Sequence, residues 1–503
     1  MELQLPSLFL LLVPILLLPL LAIVTRSSRR SDLPPGPPRL PIIGSLHYLA
    51  TALPHRALAA LAGTYGRLCC SASARPSVTN FDHEPNIDLA VVTSREAAEA
   101  VLKTHDTNFA SRPEMAAPKI IGYGCTDIAF SPYGAYWRQL RKICVMELLS
   151  AKRVKSFSSL RTEEIAGFLK DIAGAAARQT PVNISLKLMS LANNIVCRAT
   201  FGKMFKHQSR FLVIVKETLE MTSGFSLSDL FPSLRFLDVI MMRKITKVHR
   251  EMDAIFDDTI QDHQERPRKP DGRRTSREQK DLEVPVTYEN VKAVMLDMFA
   301  GGTETSSTII EWAISELIKS PNIMAKAQQE VREAFKKKGK IEEHDIGELS
   351  YLQLVIKETL RIHPPVPLLV PRVCQETCTI LGYTIPAGTR VVINVWALGR
   401  DPKYWEDPEK FMPERFEGNS VDYKGSNFEF LPFGAGRRIC PGMTFGLATV
   451  EFGLAQLLFY FDWKLPGDMK IEDLDMTETL GASAPRKEQL HLIAIPQISL
   501  PVK

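Results

Sequence analysis

Cysteine is scarce and scattered in this 503-residue chain, with eight residues at positions 69, 70, 125, 144, 197, 374, 378 and 440. Only Cys69–Cys70 and Cys374–Cys378 lie close together, and neither pair belongs to a four-ligand zinc spacing. So few cysteines in so long a chain exclude a disulfide scaffold and point to a reducing, cytosol-facing environment. An excess of one charge is also missing. Lys and Arg number 62 against 57 Asp and Glu, a net of +5, which argues against a dedicated nucleic-acid binder. There is no internal repeat. There is also no glycine-rich dinucleotide fingerprint, which argues against a nicotinamide site of that kind in the chain itself.

What remains is ordinary globular composition, 45% apolar and 24% charged, in a chain able to bury a large core. Residues 5–24 carry no charge and are mostly Leu, Ile, Val and Phe. That is about the 20 residues a helix needs to cross a bilayer. Arg26, Arg29 and Arg30 follow, whereas only Glu2 carries side-chain charge before the run. Positive charge on the C-terminal flank places the rest of the chain in the cytosol, as a single-pass anchor would. A cleaved signal peptide would put its positive charge first and use a shorter run. Leu33-Pro34-Pro35-Gly36-Pro37-Pro38 then reads as a stiff spacer. The expected organisation is an anchor at 1–30, a proline-rich hinge at 31–40 and one large catalytic domain at 41–503.

From about residue 55 to 320 the apolar spacing is mainly helical, for example over 138–149, 182–201 and 247–265. The longest stretch is 288–319, with Thr287 as its cap, Glu289 in its first turn and Ser320-Pro321 as its stop. At 1.5 Å per residue it spans about 48 Å. Strand-like text is short, as at 389–394. The fold expected is mainly α with small β-sheets. Residues 265–280 are basic, polar and without apolar period, and read as an exposed loop.

Pro432-Phe433-Gly434-Ala435-Gly436-Arg437-Arg438-Ile439-Cys440-Pro441-Gly442 suits a loop that presents a thiolate to iron. The glycines leave room for a flat macrocycle. The apolar helix that follows, with Leu447, Val450, Leu454, Leu457 and Leu458 on one face, would aim its N-terminal amides at the sulfur. Arg438 can reach a haem propionate. Within the long helix, Gly301-Gly302-Thr303-Glu304-Thr305-Ser306 interrupts a good helix former. Each glycine costs about 1 kcal/mol relative to alanine, so a bend that opens a groove for dioxygen, or close helix packing, must justify the pair. Glu358 and Arg361 share one helical face.

Phe433, Gly436, Arg438, Cys440 and Gly442 together resemble the haem-binding signature of the cytochrome P-450 superfamily, with every fixed position present. The resemblance runs from the anchor to about residue 498, and its details are those of a plant microsomal A-type enzyme. It implies a single large domain binding haem b, with Cys440 as the axial iron ligand. It also implies a buried network of Glu358, Arg361 and Arg415 that braces the cysteine loop. Glu304 and Thr305 fall at the acid and hydroxyl positions of the oxygen-activation motif, and Trp137, Arg141 and Arg372 at propionate contacts. The substrate pocket would be lined by residues 115–130, Phe225, Ala300, Thr305, 366–370 and 482–484. The activity implied is hydroxylation of a small hydrophobic specialised metabolite, such as a terpenoid, by O2 with electrons from an NADPH-dependent reductase at the endoplasmic reticulum membrane. A reductase-independent isomerase or dehydratase, and an inactive membrane haem protein, are the rival readings. Two stretches depart from the family pattern: 67–88, without clear strand alternation where a strand pair is expected, and 265–280, where an amphipathic helix is replaced by the basic loop.

Overall fold

Thr287 starts the longest helix with a reciprocal cap: its hydroxyl accepts from the Asn290 amide at 3.3 Å, and the Asn290 side chain accepts from the Thr287 amide at 2.9 Å. The computed structural model describes residues 32–38, 45, 48, 52–72, 88–204, 208–222, 239–265, 283–479 and 481–500. The expected anchor, Phe225 and nearly all of the basic loop lie outside these residues. The main helices are α1 (Pro54–Tyr65), α2 (Ala135–Cys144), α3 (Ser158–Ala177), α4 (Ile184–Phe201), α5 (Gln208–Met221), α6 (Val239–Gln264), α7 (Tyr288–Lys319), α8 (Pro321–Phe335), α9 (Ser350–Ile362) and α10 (Met443–Tyr460). The long helix expected over 288–319 is thus α7.

A four-stranded sheet has the order β1 (Leu68–Ala72), β2 (Asp88–Val92), β7 (Arg390–Ile393) and β4 (Arg372–Val373). Here the sequence reading of 67–88 is corrected. Leu68–Ala72, at the start of that stretch, pair antiparallel with Asp88–Val92, which begins at its last residue, Leu68 with Val92 through Ala72 with Asp88. The pairing is stabilised across the sheet, because β2 also runs parallel to β7. A second sheet joins β3 (Val182–Asn183), β9 (His491–Pro496) and β8 (Phe461–Lys464), and β5 (Cys378–Ile380) forms a hairpin with β6 (Tyr383–Ile385). The proline spacer lies against this body: Pro34 and Pro37 are buried, and the Thr384 amide donates to the Asp32 carbonyl.

Helix α10 is not one-faced as its leucine spacing suggested. Phe445, Leu447, Val450, Phe452, Leu454, Leu457, Leu458 and Phe459 are all buried, so the helix is enclosed on every side over its C-terminal half, whereas Thr444 in its first turn is exposed. By length and composition it could cross a membrane, yet here it is a core helix. It lies along α7, where a Cβ on Gly453 would come 3.2 Å from the Ile310 Cδ1 and one on Gly446 3.6 Å from the Ser306 Oγ.

The two glycines of α7 divide. A Cβ on Gly302 would meet the Val196 Cγ2 of α4 at 2.8 Å, whereas one on Gly301 would meet nothing within 4 Å. Close packing therefore explains Gly302, and an open face explains Gly301. Gly302→Ala is expected to forgo the helix-propensity gain of about 1 kcal/mol, because the stiff valine cannot yield. Thermal unfolding of Gly302→Ala, Val196→Ala and the double variant should show strong positive coupling, with the gain restored only when both are changed. Simple additivity would mean the contact carries no weight.

Candidate functional site

The segment leading to Cys440 turns through Gly434 (φ 69°) and Gly436 (φ 68°), a left-handed backbone open to glycine. Any Cβ on Gly436 would also collide with the Leu102 carbonyl and lie 2.6 Å from the Asp106 Oδ1. The Cys440 amide donates to the Phe433 carbonyl at 2.9 Å, closing the loop. Helix α10 starts at Met443 with Gly442 as its cap, so Pro441 precedes the helix instead of occupying its first turn. Burial raises the Cys440 thiol above its ordinary range. The amides of Gly442 and Met443 donate to the sulfur and, with the Arg141 charge, favour the anion.

Four guanidiniums gather nearby from four separate stretches of the chain. Arg438 donates to the carbonyls of Ala110 (2.7 Å), Ile128 (3.1 Å) and Ser131. Arg372 donates to Phe109 and Ala435, each at 3.2 Å, and Arg141 to Ile439 at 2.5 Å. Arg112, which sequence reasoning missed, donates to Ala129 (2.9 Å), Val370 (2.7 Å) and Pro371 (2.9 Å). Burial, then repulsion from Arg372 and Arg141, lowers Arg438 to about 9, and burial lowers Arg372 to about 10. Such a set of cations asks for an anion. A thiol with two amide donors, glycines that clear a flat surface, and clustered arginines suited to two carboxylates fit haem.

The indole of Trp137 belongs to this cluster. Its N–H donates to the Ile128 carbonyl at 3.0 Å, so that donor is used within the protein. The ring instead lies beneath the guanidiniums of Arg438 and Arg141, 4.2 and 5.3 Å from its centroid. Two carboxylates, also missed, hold the same segment from its amide side. Asp297 of α7 accepts from Ile128 (2.5 Å) and Ala129 (3.3 Å), and Asp127 accepts from Phe130 (2.6 Å). Burial raises Asp127 to about 7, and burial with the neighbouring Asp127 raises Asp297 well above the carboxylate range. An acid inside the apolar run Val294-Met295-Leu296-Asp297-Met298-Phe299 was the available signal. Arg112 offered none, because its partners come from residues 129 and 370–371.

Glu358 and Arg361 form a fully buried bidentate pair, both bonds at 2.8 Å. Arg415 donates to the same carboxylate at 2.9 Å, and so does the Met412 amide at 2.8 Å. The remaining donors of Arg361 go to the carbonyls of Gly399, Pro408 and Lys410. Removing one member of such a network costs about 3–5 kcal/mol, because the others stay buried and unpaired. From there an aromatic chain leads to the cysteine loop. Trp405 meets Phe416 and Phe430, Phe430 meets Tyr423, and Tyr423 lies 5.7 Å from Phe433.

Neighbouring Glu304 and Thr305 face different ways. The Thr305 hydroxyl donates to the Gly301 carbonyl at 2.5 Å on the open side of α7. Glu304 is buried against Ser483, with Oε2 lacking a hydrogen-bond partner among the described residues. Burial raises its carboxyl to about 7. The segments expected to line the pocket are tied together by backbone bonds. Asp297 takes 128–129, Arg112 joins 129 to 370–371, the Ala484 amide donates to Pro365 at 2.9 Å, and the Ala482 amide donates to Leu219 at 3.1 Å.

Asp297→Ala should leave two buried amides unsatisfied, at about 1–3 kcal/mol each, and release haem faster to apomyoglobin. Asp297→Asn keeps an acceptor and should behave as wild type, because the carboxyl is held neutral. Equal haem loss from both variants would show that charge, not amide capture, is what Asp297 contributes.

The profile of the family described as Cytochrome P450 matches residues 34–492. The chain is 49% identical over 484 residues to premnaspirodiene oxygenase of Hyoscyamus muticus, covering 93% of this chain and 94% of that one. It is 49% identical to 5-epiaristolochene 1,3-dihydroxylase of Nicotiana tabacum, over 484 residues and the same shares. A solved zebrafish cytochrome P450 structure with abiraterone superposes with a TM-score of 0.72 at 22% identity, covering 88% of this chain and all of that one. With a cysteine loop, a cation cluster and a fold that agree with these matches, the chain belongs to the cytochrome P450 family and is a haem-thiolate monooxygenase.

Proposed function

We propose that this enzyme hydroxylates a terpenoid hydrocarbon or a terpenoid of low polarity. The observation that carries the reading is the relatives' chemistry, an oxygenase of premnaspirodiene and a dihydroxylase of 5-epiaristolochene, over nearly the whole chain. The residues expected to line the pocket support it. Met115, Ala117, Ile121, Ile128 and Leu368 are apolar and buried, which favours a ligand without charge and keeps water out. Electrons would come from an NADPH-dependent reductase. The uncharged run at 5–24, followed by Arg26, Arg29 and Arg30, supports a single-pass anchor in the endoplasmic reticulum with the catalytic domain in the cytosol.

In this reading haem, when bound, supplies the oxygen chemistry that converts C–H to C–OH. Cys440 holds the iron, its sulfur charge moderated by the Gly442 and Met443 amides. Arg112, Arg372, Arg438 and Arg141 hold the propionates. Glu358, Arg361 and Arg415 keep the cysteine loop in place. Thr305 presents a hydroxyl that both donates and accepts, so it can pass a proton without carrying charge. Glu304, poised near 7, can give up and regain a proton at working pH.

The test is turnover by membranes containing the protein and a reductase, with NADPH, on a panel of sesquiterpene hydrocarbons and phenolics. Hydroxylated terpenoid is the expected product, and activity confined to phenolics would sink the substrate assignment. Thr305→Ala should retain the thiolate spectrum and substrate binding, while product per NADPH falls and hydrogen peroxide rises. Unchanged coupling would show that protons travel by another route.

A further inference from the structure

We propose that Cys374 and Cys378 form a redox-responsive dithiol that closes to a disulfide when exposed to hydrogen peroxide. Strand β4 ends at Val373, and the chain turns through residues 375–377 into β5 at Cys378. Cys378 pairs with Ile385 across the hairpin, and the Cys374 Sγ lies 3.7 Å from the carbonyl oxygen of that same Ile385. One cross-strand position, Ile385, thus neighbours both cysteines, and the Cys378 thiol is close enough to help raise that of Cys374. Cys374 is buried and Cys378 half-buried. Cys69, Cys144 and Cys197 sit in three other apolar clusters, each the one cysteine of its cluster's buried residues. Cys440 is committed to iron.

The exposures assign the order of events. Cys378 is the sulfur that peroxide can reach. Burial holds the Cys374 thiol up at about 12, so it is a poor first nucleophile. The Cys378 thiolate attacks one peroxide oxygen, the O–O bond breaks, and the departing hydroxide takes a proton to become water. The Cys374 sulfur then displaces the hydroxyl from the Cys378 sulfenic acid. The S–S bond forms, and a second water carries off the Cys374 proton. Two thiols are oxidised by two electrons, and one peroxide is reduced to two waters. A cytosolic dithiol reductant would reverse the step, as expected of a transient disulfide in that compartment.

The position gives the step a consequence. The Cys374 thiol donates to the Glu376 carbonyl at 3.0 Å, in a turn that Asn108 also holds through the Gln375 and Glu376 amides at 3.0 and 2.7 Å. Asn108 precedes Phe109, whose carbonyl accepts from Arg372, and Arg372 itself lies two residues before Cys374. Closing the disulfide withdraws a donor from the turn that follows a haem-holding arginine. The inference rests on the monooxygenase reading only for its source of peroxide, the by-product of uncoupled turnover.

The experiment exposes the haem-loaded full-length protein to hydrogen peroxide alone, without NADPH or substrate, followed by alkylation, digestion and mass spectrometry. The peptide bearing both cysteines should lose about two mass units, escape alkylation, and regain both sites after dithiothreitol. Cys374→Ala should leave Cys378 trapped by dimedone as the sulfenic acid, whereas Cys378→Ser should leave Cys374 alkylatable. Two alkylated thiols in the treated native protein, or sulfinic acid at Cys378 without a link, would overturn the inference. Because no turnover is needed, that failure would leave the substrate reading standing, and an inactive substrate panel would leave the disulfide standing.

Discussion

An ionised sulfur inside a protein loses the hydration that stabilised it, and Cys440 can hold that state only where other groups replace water. Two helix-start amides and the Arg141 charge do part of this. Burial alone pushes the thiol toward its neutral form, and in the proposed reading the haem iron would do the rest. The geometry of the loop follows from this need. Gly436 lets the chain pass against Leu102 and Asp106, the Phe433 carbonyl takes the Cys440 amide, and the capping glycine starts α10 with its amides aimed at sulfur. The C-terminal half of that helix is enclosed by apolar side chains, which anchors the start that carries the amide donors.

The same desolvation argument explains the cation cluster. Buried guanidiniums are costly unless each N–H is matched, and here backbone carbonyls of residues 109–110, 128–131, 370–371, 435 and 439 do the matching. The peptide groups of 128 and 129 stand between a carboxyl and guanidiniums, with their amides on Asp297, whose neighbour is Asp127, and their carbonyls on arginines. Those carboxyls cannot both ionise in so dry a place, and their raised pKa values say so. A neutral acceptor suffices to orient the segment, and leaves the net positive charge of the cluster for the cofactor's own anions.

How much of this could be read from residues alone depended on the distance over which each feature is encoded. The cysteine loop is local, so Phe433, Gly436, Arg438, Cys440 and Gly442 were legible as a unit. Thr287, Glu289 and the stop at Ser320-Pro321 mark α7 within a few residues of each end, and Asn290 completes its cap. The cation cluster is not local. Arg112 lacks any neighbouring pattern, and its partners lie some 17 and 258 residues away. Strands β1 and β2 escaped notice because their stability comes from β7, three hundred residues downstream, and not from alternation in their own text. The leucine spacing of α10 suggested one buried face, but a helix packed on all sides shows no distinguishing period in its apolar residues.

The paired Glu304 and Thr305 show where a motif is legible while its geometry is not. Successive residues on an α-helix diverge by about 100°, from the 3.6-residue turn, so neighbours in the text cannot share one direction. Thr305 takes the open side with Gly301, one turn before it, and bonds that residue's carbonyl. Glu304 turns inward to Ser483, toward the region of Lys216, Glu220 and Glu311. An acid so placed does not meet a substrate. Its buried oxygen, without a hydrogen-bond partner among the described residues, and its carboxyl near 7 suit a group that stores a proton and exchanges it with the interior side of the helix. The hydroxyl and the acid therefore divide the work by direction. In the proposed mechanism Thr305 would face the reacting side and Glu304 the interior from which a proton is supplied, so transfer between them would require a side-chain rotation or a water at the helix surface.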